Sequence, residues 1–217
     1  MNVLILGGHG KIALRLERLL AERGDTARGV IRKAEQSADL EAAGAEAVVL
    51  DVEQESADAL AEHVRGSDAV VFAAGAGPGS GTERKRTVDY GAAVKLIEAC
   101  ESAGVDRYVM VSAMGVDRDS YPDSMKPYYE AKRDADDALR ESSLAHTIVR
   151  PGALTDEPGT GLIAAGLPIQ GGGNDVPRDD VAATLAAVLA EPGTAGVTFD
   201  LLSGETPVAE AVAALVR

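Results

Sequence analysis

The chain has 217 residues, 46% of them hydrophobic, enough for one large domain with a substantial core. Aromatics make up 3% and tryptophan is absent, so that core must be built from Ala, Val, Leu and Ile. A net charge of −14, a single cysteine and no long apolar run argue against nucleic-acid and anionic-membrane partners, and exclude an intrachain disulfide framework and a bilayer span.

The chain opens on an apolar strand, Asn2–Leu6, that enters the run Gly7-Gly8-His9-Gly10-Lys11-Ile12-Ala13 and leaves it as a helix over Lys11–Arg23. Strand, glycine turn and helix aim backbone N–H groups and a helix N-terminus at one point, which suits a phosphate. In this G-x-x-G-x-x-A spacing Gly7 gives the tight turn and Gly10 lets backbone approach a pyrophosphate. Ala13 keeps the helix close to the strand. Met1 leads directly into the core strand, so the expectation is a cytoplasmic protein without a signal peptide.

Strand and helix then alternate. Strands are expected at Ala27–Ile31, Ala45–Leu50, Ala69–Ala73, Tyr108–Ser112, Ala145–Val149 and Val197–Leu201. Helices are expected at Gln36–Ala43, Ala57–Arg65, Thr87–Ala103, Pro127–Ser142, Asp179–Ala190 and Val208–Leu215, with Gly24, Gly44, Gly66 and Gly104 at C-cap positions. The alternation implies an α/β, Rossmann-type, doubly wound and mainly parallel sheet of about seven strands with helices on both faces. It reads as a single domain over 1–217, in which 154–217 contributes a small substrate-side portion. Irregular stretches are expected at Gly75–Arg84, Gly115–Lys126 and Leu154–Pro177, each after the C-terminal end of a strand, where ligands bind in such sheets.

The second strand ends in Ile31-Arg32-Lys33, where an NAD-selective site usually places an acid for the ribose 2′-hydroxyl. A guanidinium there can clamp a 2′-phosphate, which favours NADP (NADPH) over NAD; the alternative is a pair of solvated loop cations. Asp51 could accept from the adenine amino group with Val52 against the ring, or simply cap a helix. Ala73-Ala74-Gly75 is small enough to let backbone pass beside a cofactor.

Ser112 ends the fifth strand, and Tyr128 and Lys132 follow at i and i+4, on one face of a helix. A nearby ammonium is expected to lower the phenol pKa, so that the phenol gives or takes a proton at a carbonyl or alcohol while hydride moves. Lys132 can also hold the nicotinamide ribose, and Ser112 the substrate oxygen. Tyr129, three residues before Lys132, is the rival phenol. Arg150-Pro151-Gly152-Ala153 fixes a bend that could press backbone against nicotinamide, or is a plain strand-ending turn. His9, His63 and His146 make no metal-like cluster, so no metal is expected.

Together these pieces resemble the short-chain dehydrogenase/reductase superfamily over nearly the whole chain. The likeness is to its atypical branch of small NAD(P)H-binding proteins, near the epimerase-like, flavin/biliverdin reductase-like and NmrA-like groups. It implies that Gly7, His9, Gly10, Lys11 and Ile12 line the pyrophosphate, Arg32 and Lys33 meet the 2′-phosphate, and Asp51 and Val52 meet the adenine. It further implies Ala73, Ala74 and Gly75 beside the ribose, Ser112, Tyr128 and Lys132 as the catalytic set, and Pro151, Gly152 and Ala153 at nicotinamide. Gly8-His9 stands where relatives commonly carry Ala-Thr, and Ala13 replaces the last glycine.

Three functions stay open. One is an NADP-dependent oxidoreductase or epimerase-like enzyme acting on a small carbonyl or alcohol by hydride transfer. The second is a flavin/biliverdin-type reductase in which Tyr128 is dispensable. The third is a non-catalytic NADP(H)-binding redox sensor with a protein partner. The expected partner is otherwise a small-molecule substrate, and the expected state a monomer or homodimer.

Overall fold

A computed structural model describes residues 1–77, 79–169 and 174–216. Pro78 and residues 170–173, which fall within two of the expected loops, lie outside the described residues. In chain order the main elements are β1 (Asn2–Leu6), α1 (Lys11–Glu22), β2 (Thr26–Ile31), α2 (Ser37–Ala42), β3 (Glu46–Val49), α3 (Ala57–Val64) and β4 (Ala69–Phe72). The helical turn α4 (Thr82–Arg84) runs through a π-helical segment, Lys85–Ala92, into α5 (Ala93–Ala103). There follow β5 (Arg107–Val111), α6 (Lys126–Glu141), β6 (Ala145–Pro151), β7 (Ala153–Thr155), β8 (Leu162–Gly166), β9 (Asp175–Pro177), α7 (Arg178–Ala190), β10 (Val197–Ser203), β11 (Thr206–Pro207) and α8 (Val208–Ala214).

Among the described residues the main sheet has nine strands rather than seven, in the order β11-β8-β10-β6-β5-β4-β1-β2-β3. From β3 to β10 every pairing is parallel; β8 then runs antiparallel to β10 and carries β11. Of the two extra strands, β8 lies within the stretch Leu154–Pro177 expected to be irregular, and β11 directly precedes α8. Leu162-Ile163-Ala164-Ala165-Gly166 is short, alanine-rich and preceded by glycine, and so lacks the β-branched run that marks a strand. β7 and β9 form a separate two-stranded parallel pair above β6.

The central strands are buried on both faces, which is why their sequences are continuously apolar. Val3 and Ile5 point to the side covered by α1 and α7; Leu4 and Leu6 point to the side covered by α3 and α5. Successive strand residues alternate between faces, so one tetrapeptide serves both half-cores. The chain order reverses between β1 and β4, and the C-terminal ends of these two strands frame the crevice where such sheets bind ligands. The helix expected from Thr87 in fact begins at Thr82 and is π-helical through Ala92. The 3.6-residue apolar period becomes regular only after Asp89-Tyr90-Gly91 interrupts it.

Candidate functional site

The crevice is built around the glycine turn. Gly7 has φ +89°, a left-handed conformation, and a Cβ there would lie 2.7 Å from the Ala74 Cα. Gly8 packs so close to β2 that its Cβ would fall 2.6 Å from the Gly29 Cα. The turn is closed by Gly10 N–H donating to the Gly7 carbonyl at 2.8 Å. Gly10 is also the N-cap of α1 and has no side chain to offer the first-turn N–H groups, and no acidic residue occupies that turn. Those donors therefore face the crevice free to meet an anion.

A cleft of about 230 Å³ runs outward from this turn. Gly7, His9 and Gly10 line its inner end, Ala73, Ala74 and Gly75 one wall, and Arg32, Asp51 and Val52 the outer end. Leu6, Val30, Ile31, Leu50 and Val88 give it an apolar floor. The shape, the glycine cradle and the uncapped helix end fit an adenosine diphosphate moiety. His9 is held by Asp39 (Nε2 to Oδ2, 2.6 Å) and Gln36 (Nδ1 to Nε2, 2.9 Å), which orients the ring at the rim.

Other expected site residues are not among those that line the cleft, and they turn to other partners. The Lys11 ammonium spans to Asp156 at 2.6 Å, and Ile12 packs into the core. Lys33 turns to Glu35 at 3.5 Å. Pro151 ends β6; Gly152 N–H donates to the Leu201 carbonyl and Ala153 N–H to the Asn174 carbonyl, so this bend is tied to β10 and to the start of β9.

Ser112, Tyr128 and Lys132 gather at the C-terminal ends of β5 and β6. Ser112 is anchored by its N–H donating to the Val149 carbonyl at 2.8 Å, and its Oγ is buried without a hydrogen-bond partner among the described residues. Lys132 is only 4% exposed. Its ammonium donates to the Val111 carbonyl at 3.1 Å, lies 3.4 Å from an Asp89 carboxylate oxygen and sits 5.5 Å over the Phe72 ring. The expected lowering of the Tyr128 pKa is not what this arrangement produces. Burial, then the charges of Asp89, Tyr129 and Asp136, push the phenol well above its ordinary value. The Lys132 charge is engaged by Asp89, so the phenol stays protonated. Tyr129 stacks on Tyr121 with ring centroids 4.9 Å apart, a packing role, and meets Tyr128 edge-on at 5.3 Å.

Three buried charged residues join this group: Asp89 and Asp136, which the sequence did not single out, and Arg150, named there only as part of the bend after β6. Asp89, in the π-helical segment, also accepts from the Ala76 N–H at 3.2 Å. Asp136, four residues after Lys132, and Arg150 form a buried ion pair at 2.9 Å, and Arg150 extends to Asp117. Burial raises the Asp136 pKa, and the Arg150 guanidinium pulls it part of the way back down. The signals were spacings: Asp89 falls on the stripe of Ala93, Leu96 and Cys100, and Asp136 continues that of Tyr128 and Lys132.

Comparison with known proteins agrees with this geometry. A family model described as NAD(P)H-binding matches residues 7–192. The chain is 44% identical over 214 residues, 98% of its length and 99% of the other's, to an uncharacterized sugar epimerase, YhfK, of Bacillus subtilis strain 168. A solved structure from Bacillus halodurans, provisionally named an NAD-dependent epimerase/dehydratase, superposes with a TM-score of 0.93 at 38% identity over 99% of both chains. A second, the oxidoreductase ylbE from Lactococcus lactis, gives 0.86 at 28% identity over 100% of this chain and 97% of that one. With a glycine-turn crevice and these relatives spanning its length, the chain belongs to the NAD(P)H-binding family of Rossmann-fold proteins.

Proposed function

We propose that this protein is an NADP-dependent oxidoreductase or epimerase-like enzyme acting on a small carbonyl or alcohol. The observation that carries this reading is the convergence of Ser112, Tyr128 and the buried Lys132–Asp89 pair at the strand ends next to the adenosine cleft. When bound, NADP(H) would supply or accept the hydride. The chain's own residues handle the proton and the oxygen. Tyr128, held neutral by burial, is set to donate its phenolic proton to a carbonyl oxygen. Ser112 Oγ is the second donor available to that oxygen. Lys132, fixed between the Val111 carbonyl and Asp89, would hold the ribose that carries nicotinamide. Arg32 at the outer end of the cleft supports the phosphorylated cofactor. Residues 154–217 would close the substrate side, and the acidic surface suits a cytoplasmic protein.

The test is Tyr128→Phe. It should abolish turnover of carbonyl substrates and leave NADPH affinity within about twofold, since the phenol lies outside the adenosine cleft. Undiminished carbonyl turnover would remove Tyr128 from the chemistry. Undiminished reduction of free flavin by NADPH in the same variant would instead favour direct hydride delivery to an extended ring.

A further inference from the structure

The cations around the outer end of the cleft are not the adjacent pair that the sequence suggests. Arg84, in α4, also lines the cleft and comes from a different element than Arg32. Glu53 stands between them. Arg84 places Nη2 3.2 Å and Nε 3.3 Å from Glu53 Oε2, and Arg32 Nη1 lies 3.8 Å from the same oxygen. Thr87 donates its hydroxyl to the other carboxylate oxygen at 2.7 Å. The backbone under Glu53 is pinned, because the Lys95 ammonium donates to the carbonyls of Val52, Glu53 and Glu55 at 2.8, 3.3 and 2.8 Å. The Glu53 side chain is held only by these side-chain partners and is one-fifth exposed at the cleft. Two guanidiniums converging on one oxygen is the arrangement a phosphoryl group takes, and a carboxylate fills it with half the charge of a phosphate dianion.

Resting on the NADP reading above, we propose that Arg84 is the second cation for the adenosine 2′-phosphate, and that Glu53 is an internal counterion which that phosphate displaces. Without the phosphate, Glu53 keeps the two guanidiniums from repelling each other and holds them converged. A 2′-hydroxyl would meet the same carboxylate as a hydrogen-bond acceptor, so Glu53 favours the unphosphorylated cofactor and Arg84 the phosphorylated one. Their balance sets the preference of the site.

The experiment is equilibrium titration of the full chain with NADPH, NADH, 2′,5′-ADP and 5′-AMP. The proteins are wild type, Arg32→Met, Arg84→Met, Arg84→Lys and Glu53→Gln. Losing a charge-assisted contact to the phosphate should weaken NADPH and 2′,5′-ADP by about tenfold or more in Arg84→Met, with NADH and 5′-AMP within about twofold. Arg84→Lys should fall between. Glu53→Gln, nearly isosteric, should raise the NADPH-over-NADH preference severalfold, and keeps the proposal testable if Arg84→Met folds poorly. The inference alone is overturned if Arg32→Met weakens NADPH while Arg84→Met does not, or if Glu53→Gln shifts both cofactors equally. If wild type binds NADPH no more tightly than NADH and Arg32→Met changes neither, the phosphate reading itself falls and takes this one with it.

Discussion

Replacing Glu17 by Gln should remove a large part of the pH dependence of stability between pH 5 and 8. Glu17 lies on α1 facing β1 and β2, is 0% exposed, and neither carboxylate oxygen has a hydrogen-bond partner among the described residues. It fits only because β2 carries Gly29 opposite it, where a Cβ would come within 2.5 Å of Oε1. Burial raises the carboxyl pKa from 4.5 to about 8. The unfolded chain ionises this group near its ordinary value, so folding carries no penalty below about pH 4.5, and stability is lost as pH climbs from there to about 8. At about 1.4 kcal/mol per pH unit the loss approaches roughly 5 kcal/mol. For a domain of this size that corresponds to about 10–20 °C in Tm. Gln keeps the shape and cannot ionise, so the difference in slope between variant and wild type isolates the charge. Urea unfolding of both proteins at pH 5, 6, 7 and 8 measures it. Parallel stability–pH curves would refute the reasoning and mean that Glu17 is not buried alone.

Three further outcomes follow from particular contacts. Arg150→Leu strips Asp136 of its buried partner and should cost about 3–5 kcal/mol in denaturant unfolding. Adding Asp136→Asn should recover part of that loss, whereas strictly additive losses would show the pair is uncoupled. The Cys100 thiol, buried and pushed up to about 12, should ignore a disulfide reagent at pH 8 in the native protein and react fully in denaturant. Gly7→Ala forces a Cβ onto a left-handed residue and against the Ala74 Cα, so dinucleotide affinity measured by titration should fall at least tenfold.

Much of this fold was legible because the sequence repeats one instruction: an apolar run, a glycine, an amphipathic helix. The ends of β1, α3 and α6 fall within a residue of where pattern and caps put them. What escaped was structure held by tertiary contacts. β8 is a strand because β10 offers it an antiparallel edge, not because its alanines favour extension. At the site, the glycine turn and the Tyr128–Lys132 spacing were readable as local patterns. Asp89 was not, because its partner is 43 residues away and only the packing of the π-helical segment against α6 brings them together. The direction of the Tyr128 shift was misread because an ammonium at i+4 was visible, whereas the burial and, after it, the Asp89 carboxylate that raise the phenol pKa were not.

Every residue lining the adenosine cleft lies between Leu6 and Val88, whereas Ser112, Tyr128, Lys132 and Arg150 all come later in the chain. In the proposed function, the adenosine end is thus held by the first stretch of the chain and the chemistry by the second, with Lys132 reaching from the second to the nicotinamide ribose and Asp89 meeting it from the end of the first. Substitutions at the substrate side of the second stretch could therefore change the chemistry while leaving the adenosine end of the coenzyme held as before, which is one route by which a single scaffold diversifies.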